Sequence, residues 1–332
     1  MRKSLTFIFL CCCHILLFAQ EYDYYSNVFN ISRSSQTAFN KFVLVAPCPQ
    51  TNEYQEVIAI NYSSYGKWKL REIDENQNQY LELDLYDGQL RAVSQNFSVG
   101  YTFTLSPKTI NIDFSPLKNE DGTWKEMPAY DTSSRDYKDN TKRSSNIVVP
   151  NNKEIQAISN QIFTECDNNL LTYAERCYEY FASHYKYLNP YTGMHPLSKI
   201  LAAGGGDCGN LSSIYISLLR AKGIPARHVM AIRPNTDFHI WAEFYIQDFG
   251  WVPVDVTYKN GNPQGNYFGR YNYKDMAVVQ KGVAMTYKTS GCGSKDVVHL
   301  QTFSYWFWYD VYATMEVSQK ISAKKVALES SL

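Results

Sequence analysis

The sequence predicts an α+β protein, in which an N-terminal antiparallel β-sandwich-like domain precedes a core with a helix packed on an antiparallel sheet. Three observations support this prediction. Strand-length runs fill the first third of the chain, tyrosine is frequent with 27 copies, and helical apolar spacing begins only after residue 150. Because the chain has 332 residues and 45% hydrophobic content, it can form two domains with substantial cores.

The net charge of the chain and the spacing of its possible metal ligands, cysteine and histidine, argue against several classes of protein. The formal net charge is +0 and 19% of the residues are charged, which gives no overall attraction to nucleic acid or to an anionic membrane. The spacing of cysteine and histidine does not match a structural zinc site. We therefore expect no nucleic-acid partner, no metal and no cofactor.

The first twenty residues have the pattern of a signal peptide. Arg2 and Lys3 precede an apolar run at 5–18, and polar sequence follows Ala19. Cleavage near Ala19 or Gln20 would export the mature protein to the periplasm, the cell surface or the medium. The apolar run is shorter than the about 20 residues that span a bilayer. A lipid anchor would use Cys11, Cys12 or Cys13, but the residue before them is not the small one expected, so we expect no stable membrane anchor.

Five cysteines follow this segment, at Cys48, Cys166, Cys177, Cys208 and Cys292. An odd number in an exported chain leaves at least one thiol unpaired, and Cys208 has the surroundings that best explain a free thiol. A bond between Cys166 and Cys177 across a helical hairpin stays open. We predict no particular disulfide.

Residues 21–115 are predicted to form the β-rich domain. Four strand-length apolar runs lie between turn-forming residues, at 42–45, 56–60, 80–85 and 99–105. Short strands at this frequency, without a helical period, favour a sandwich. The polar segment 116–150 is predicted to be a linker or a long loop.

The second domain is predicted at 151–318, and residues 319–332 are expected to be a polar tail. Its apolar residues change from a helical period to a strand period along the chain. The predicted elements are helices at 155–166, 170–185 and 197–203, a helix that starts near Cys208, a strand at 227–232, a hairpin at 239–257 and a last strand within 300–317.

Cys208 lies at the start of a predicted amphipathic helix, directly after three glycines and Asp207. Asp207 is the expected N-cap, which places Cys208 in the first turn, where the helix dipole favours a thiolate. The charge of Asp207 opposes a thiolate unless its carboxylate points into the cap. A buried structural cysteine is the alternative interpretation. The apolar stripe that predicts the helix consists of Leu211, Ile214, Tyr215, Leu218 and Leu219.

His239 and Asp255 are the other candidate catalytic residues. His239 begins a predicted strand, in which alternation places it on one face with Trp241. Asp255 follows on the returning strand of the hairpin. A thiol at a helix start, a histidine and an acid are together the parts of an activated cysteine nucleophile. Three other histidines compete for the role of base, namely His184, His195 and His228.

The register of the hairpin decides whether the acid can reach the histidine. If Ile246 pairs with Trp251, Asp255 falls on the opposite face of the sheet. If a three-residue loop pairs Ile246 with Gly250, Asp255 lies on the face of His239, with Cα atoms about 7–8 Å apart. Glycine at the end of such a loop suits a left-handed conformation. A catalytic interpretation therefore requires the second register.

These residues resemble the transglutaminase-like superfamily, the papain-related group with a Cys-His-Asp site. The resemblance covers about residues 150–260, and its order and spacing are highly specific. The β-rich first domain is similar, less closely, to regions that precede this core in exported bacterial members. The matching segments are Gly206-Asp207-Cys208-Gly209, the run from Leu219 to Arg227, His239-Ile240-Trp241-Ala242-Glu243, and Gly250-Trp251-Val252-Pro253-Val254-Asp255.

The resemblance implies a role for each of these residues. Cys208 would be the nucleophile, His239 the general base and then acid, and Asp255 the residue that orients the imidazole. Arg227 is expected to brace the core through a carboxylate. The oxyanion would be bound by the Cys208 amide together with a tyrosine, either Tyr185 or Tyr187. Trp241 and Trp251 would wall the cleft, although core packing explains both tryptophans equally well.

The sequence therefore predicts an exported cysteine-dependent amide hydrolase, a peptidase or amidase that acts on a peptide or protein through a thioester. Two alternatives stay open. A protein-glutamine amine transferase, which cross-links, would use the same catalytic residues. A non-catalytic member would bind a peptide or glycan, for example if the segment 116–150 covered the cleft.

Overall fold

The computed structural model describes residues 21–33, 41–63, 67–72, 78–86, 96–188, 193–283, 285–289, 293–297, 306–309 and 315–327. The predicted signal peptide and Cys292 lie outside these residues. The α+β prediction is confirmed, because the sheets are antiparallel apart from one short parallel pair and strands outnumber helices. Within the described part of the chain, no helix is both long enough and apolar enough to cross a membrane.

Eighteen strands are described, numbered here in chain order. They are β1 Glu21–Arg33, β2 Lys41–Cys48, β3 Gln55–Tyr62, β4 Lys67–Glu72, β5 Gln79–Tyr86, β6 Asn96–Pro107, β7 Ile110–Asn111, β8 Lys186–Tyr187, β9 Gly205–Gly206, β10 Ala226–Arg233, β11 Asp237–Ile246, β12 Gly250–Val254, β13 Arg270–Tyr271, β14 Ala277–Lys281, β15 Met285–Thr289, β16 Gly293–Val297, β17 Trp306–Tyr309 and β18 Met315–Ala327.

Six α-helices are described. They are α1 Arg135–Thr141, α2 Lys153–Thr164, α3 Leu170–His184, α4 Leu197–Ala203, α5 Cys208–Arg220 and α6 Val256–Gly261. Helices α2 to α5 begin within three residues of their predicted starts, because the apolar period and the capping residues mark them. Asn152, Asn169 and Asp207 each accept backbone hydrogen bonds as N-caps of α2, α3 and α5.

The β-rich domain is built from two four-stranded antiparallel sheets. Their strand orders are β18-β1-β6-β3 and β17-β2-β5-β4. Alternate residues of β1, such as Tyr25 and Phe29, are fully buried and share one hydrophobic core with Leu44 and Leu83 of the second sheet. This shared core makes the two sheets a sandwich.

The C-terminal region corrects the predicted domain boundaries. Residues 319–327 are not a polar tail, because they belong to β18, which pairs with β1 along its whole length. The predicted end of the core domain at residue 318 is also wrong, since β17 pairs with β2 in the sandwich. Met315 and Ile321 lie on the buried face of β18, while lysines and serines occupy the other face. The second domain is therefore inserted between strands of the first.

The inserted core consists of a four-stranded antiparallel sheet with order β12-β11-β10-β14 and the helices packed against it. Helix α5 lies on β10 and β11, and every one of its residues is buried. Segment 116–150, predicted as linker or loop, contains α1 and otherwise runs irregularly across the surface of this core. There Tyr130 donates a 2.7 Å hydrogen bond to the Tyr245 carbonyl.

Two side-chain amides of the sandwich bind the edge strand of the core sheet. Gln55 donates to the Val278 carbonyl and accepts from the Val278 amide, both at 2.8 Å. Asn78 makes the same pair of bonds with Lys281, again at 2.8 Å. Each amide occupies backbone groups that a further strand would otherwise use, so the sandwich covers this edge of the sheet.

Candidate active site

The Cys208 thiol lies in the first turn of α5, and the residue is 5% exposed. Asp207 is the N-cap, as predicted, and its Oδ1 accepts hydrogen bonds from the amide and the side chain of Asn210. Its Oδ2 accepts a 3.0 Å bond from the Gly193 amide. The carboxylate is thus engaged with the cap and the neighbouring loop, which removes the objection that its charge is directed at the thiol.

The glycines before the cysteine allow a close approach of two backbone segments. Strand β9 pairs in parallel with β8, which places Tyr187 opposite Gly206. A Cβ on Gly205 would lie 1.9 Å from the Lys186 carbonyl oxygen, and one on Gly206 would lie 2.5 Å from the Asn210 Cβ. A side chain at position 205 would therefore push β8 away, and one at position 206 would displace the Asn210 side chain.

The hairpin has the register that brings the acid to the histidine. Ile246 pairs with Gly250, and Ala242 pairs with Val254. Nε2 of His239 lies 2.6 Å from Oδ2 of Asp255. The two residues are 6% and 2% exposed, so this is a buried pair.

Asp255 lies one residue beyond β12, which corrects its predicted place within the returning strand. It is the N-cap of α6, and its Oδ1 accepts hydrogen bonds from the amides of Thr257 and Tyr258 at 3.0 and 2.9 Å. Its Oδ2 accepts from His239 and also from the hydroxyl of Tyr273, at 2.8 Å. Four donors therefore fix both oxygens of this carboxylate.

The imidazole of His239 joins the acid to the thiol. Nε2 is bound to Asp255, and Cys208 lies close enough to the ring to contribute to its pKa. Burial by itself lowers the pKa of His239. The charge and hydrogen bond of Asp255, together with those of Cys208, outweigh burial and raise the pKa to about 10. This environment favours the imidazolium at neutral pH.

Aromatic rings surround this histidine. The centroids of Trp241, Tyr258 and Tyr273 lie 6.0, 5.0 and 5.9 Å from that of the imidazole. Trp241 therefore packs beside the site, and its role as a wall of the cleft stays a prediction. Its indole in turn packs edge-on against Tyr54 of the sandwich, with a centroid distance of 5.3 Å.

The two candidate tyrosines occupy different places. Tyr185 is buried and packs on Phe181 at a centroid distance of 5.1 Å, within the helical core. Tyr187 is 49% exposed. Burial, and then the negative charges of Cys208, Asp207 and Asp237, raise the pKa of Tyr187. The structure thus brings Tyr187 near the thiol and leaves Tyr185 in the core.

The prediction that Trp251 walls the cleft is wrong. Trp251 pairs with Tyr245, which is six positions beyond His239 on β11 and so about 20 Å away along the strand. Its ring instead lies 3.8 Å from the guanidinium of Arg227. Arg227 braces the core as expected, since its Nε donates to Glu243 at 2.5 Å.

The competing histidines bind elsewhere. His228 lies 3.0 Å from the Ser213 hydroxyl, on the other face of the sheet from His239. His184 contacts the Tyr180 carbonyl, and His195 lies near Lys199. Cys48, Cys166, Cys177 and Cys208 are all free thiols, so a bond between Cys166 and Cys177 is ruled out. In the part of the chain that the structure describes, no group of three or more acidic, histidine or cysteine side chains could hold a metal ion.

Comparison with known proteins agrees with this geometry. Residues 156–256 match the core-domain model of the Transglutaminase-like superfamily. The segment includes Cys208, His239 and Asp255. This segment therefore matches a transglutaminase-like core, and the resemblance predicted from the sequence is confirmed.

Individual similar proteins extend the comparison. An uncharacterized protein of Haemophilus influenzae is 30% identical over 118 residues, which cover 27% of this chain and 32% of that protein. A candidate cysteine protease from Cytophaga hutchinsonii has the same fold over 94% of this chain and 92% of its own, with a TM-score of 0.59 and 13% identity. The periplasmic domain of TgpA from Pseudomonas aeruginosa covers 71% of this chain and 88% of its own, at 13% identity. Its TM-score of 0.35 is too low to support a conclusion.

Sequence reasoning missed the tyrosines around the site. Tyr273 and Tyr258 follow Asp255 in a segment rich in Gly, Asn and Tyr, and this composition was the available signal. Tyr54 carried no signal, because its contact with Trp241 depends on how the two domains pack.

Proposed function

We propose that this protein is an exported cysteine-dependent amide hydrolase, a peptidase or amidase that acts through a thioester on Cys208. The observation that carries the proposal is the position of the His239 imidazole, which is hydrogen-bonded to the Asp255 carboxylate and lies beside the Cys208 thiol. A thiol, a base and an orienting acid in this order are what nucleophilic catalysis by cysteine requires.

Acylation begins from the ion pair in which the Cys208 thiol has already given its proton to His239. The thiolate attacks the carbonyl carbon of an amide, and the carbonyl oxygen takes the negative charge. The backbone amide of Cys208 and the hydroxyl of Tyr187 are the candidate donors to this oxygen. The C–N bond then breaks, and the imidazolium gives its proton to the leaving amine.

Deacylation reverses the roles of the same groups. His239 takes a proton from water, the resulting hydroxide attacks the thioester carbonyl, and the C–S bond breaks to release a carboxylic acid. The sulfur leaves as a thiolate, which recovers the proton from the imidazolium. Throughout, Asp255 keeps Nε2 protonated and the ring in one orientation.

Export is part of the proposal and rests on the first twenty residues. Their charged start, apolar run and polar end have the composition of a cleaved signal peptide. The substrate is then a peptide or protein outside the cytoplasm.

A peptide library tests the reaction. The purified protein is incubated with the library, with and without a labelled primary amine, and products are identified by mass spectrometry. Cys208→Ala is the matched control, because a small buried side chain is replaced by another. We expect new amino termini that depend on Cys208.

Two other results would overturn hydrolysis. Label incorporated at glutamine side chains without cleavage would show amine transfer. If the protein gives neither product and Cys208 reacts with iodoacetamide like an ordinary thiol, the protein is a binder and not an enzyme.

A further inference from the structure

We propose that Tyr273 is a positioning residue of this site, which acts on His239 through Asp255. The inference rests on the proposed function, because it requires His239 to transfer protons. Tyr273 lies in the loop between β13 and β14, and its hydroxyl donates a 2.8 Å hydrogen bond to Oδ2 of Asp255. The same oxygen binds Nε2 of His239.

The two oxygens of Asp255 have separate tasks. Oδ1 is held by the first amides of α6, at Thr257 and Tyr258, so it fixes the carboxylate to the helix. Oδ2 is left for the imidazole, and Tyr273 supplies a second donor to it. Because Asp255 is 2% exposed, water has little access to this oxygen. The phenol therefore donates the hydrogen bond that a water molecule would donate to an exposed carboxylate.

The phenol is itself held in place by packing. The ring of Tyr273 lies 4.9 Å from that of Tyr271, 5.1 Å from Tyr258 and 6.0 Å from Trp241, as centroid distances. The ring is only partly exposed. A ring fixed by three neighbours presents its hydroxyl to Asp255 at little cost in entropy.

Tyr273 remains a donor over the working range of pH. Burial, and then the negative charge of Asp255, raise the pKa of Tyr273 above its ordinary value. The phenol therefore stays protonated beside the carboxylate. By sharing the negative charge of Oδ2, it weakens the hold of Asp255 on the imidazolium proton and eases release of a proton from the other ring nitrogen.

Other titratable groups face this pair. Those close to the imidazole or the carboxylate are Cys208 of α5, Tyr258 of α6, Tyr178 of α3 and Tyr273, with Arg233 and Asp275 further out near Tyr258. Of these, Tyr273 is the side chain whose hydroxyl bonds the oxygen that holds His239. Removing that hydroxyl alone therefore isolates its effect.

The test is Tyr273→Phe, with Tyr267→Phe as the matched control. Tyr267 lies in the same part of the chain, but its hydroxyl accepts from Asn262. In Tyr273→Phe we expect kcat to fall about 10-fold with KM unchanged, and the alkaline limb of kcat/KM to move up by about 0.5–1 pH unit, since Asp255 then holds the imidazolium more tightly. Tyr267→Phe should match the unaltered protein in both.

The alkylation of Cys208 at different pH values, followed on its own peptide, separates this inference from the proposed function. If the unaltered protein shows no alkylation below pH 8, the proposed function fails. If the unaltered protein is active and Tyr273→Phe lowers only the thermal midpoint, with kcat and the alkaline limb unmoved, then Tyr273 is structural and the inference is wrong.

Discussion

Strand β11 carries two buried acid–base pairs on one face, and only one of them has the features of a catalytic site. His239 pairs with Asp255 at 2.6 Å, and four residues further along Glu243 pairs with Arg227 at 2.5 Å. All four residues are buried. Burial and pairing of charged side chains therefore do not distinguish a site of chemistry from a structural ion pair.

The difference lies in what surrounds each pair. The Glu243 carboxylate is bound by Arg227, by the hydroxyl of Tyr54 at 2.6 Å and, more distantly, by Lys281. Burial raises the pKa of Glu243, but the charges of Lys281 and Arg227 and the hydrogen bonds outweigh it, so that the pKa lies below its ordinary value. The Glu243 carboxylate is therefore surrounded by two cationic side chains and one hydroxyl donor.

The His239 pair has a partner that can give up a proton. Cys208 faces the imidazole, and imidazole itself can release a proton, which guanidinium cannot. A reactive buried pair therefore differs from a structural one in two respects. One of its members can release a proton, and a nucleophile lies beside it.

The largest expected difference between the two pairs is the effect of their mutation on catalytic activity. We expect His239→Ala to lower kcat/KM by about 10³-fold or more, because the general base is lost. We expect Glu243→Gln to keep activity within about 10-fold per folded molecule. Hydrolysis of a cleaved library peptide measures both, and equal losses in the two variants would show that the pairs are not functionally distinct.

Loss of the Arg227–Glu243 pair should have its main effect on the stability of the protein, not on its activity. Glu243→Ala leaves the buried Arg227 without its carboxylate, and we expect the free energy of unfolding to fall by about 3–5 kcal/mol. Urea denaturation measures this change. The double variant Arg227→Met with Glu243→Leu should recover most of the loss, because an apolar pair of similar volume needs no compensating charge. A single variant as stable as the unaltered protein would contradict the bracing role.

The smallest expected difference between the two pairs is in how their contribution to the free energy of unfolding changes at alkaline pH. Because the pKa of His239 is raised to about 10, the stabilisation from its pair is complete below the ordinary value of about 6.5 and is lost as pH rises through about 10. A guanidinium group, in contrast, is not deprotonated in this range. The difference in unfolding free energy between the unaltered protein and His239→Ala should therefore shrink from pH 7 to 10.5, whereas the difference for Glu243→Ala should persist. Urea curves at several pH values would show whether both differences shrink together.

Local signals explain what could be predicted from the sequence. Asp207 and the apolar stripe of α5 predicted the position of Cys208 at a helix start. The glycine at 250 made a three-residue loop reasonable, and that register placed Asp255 near His239. These features depend on residues close together in the chain.

The errors came from contacts between distant segments. Trp251 follows the motif in sequence but lies far along the strand, where it stacks on Arg227. The polar face of β18 resembled a tail, because its small apolar face is recognised only when β1 is known to lie beside it. The approach of Tyr54 to Trp241 likewise depends on domain packing.

The pairing of the first described strand with the last has a consequence for how the molecule assembles. Residues 21–33 must wait for residues 315–327 to be synthesised before their sheet is complete. A chain stopped before residue 315 would have the whole inserted region but would leave an open edge on β1, which is a site for aggregation. Completion of this sheet therefore depends on the synthesis of β18, and truncations that remove β18 should be recovered as insoluble protein.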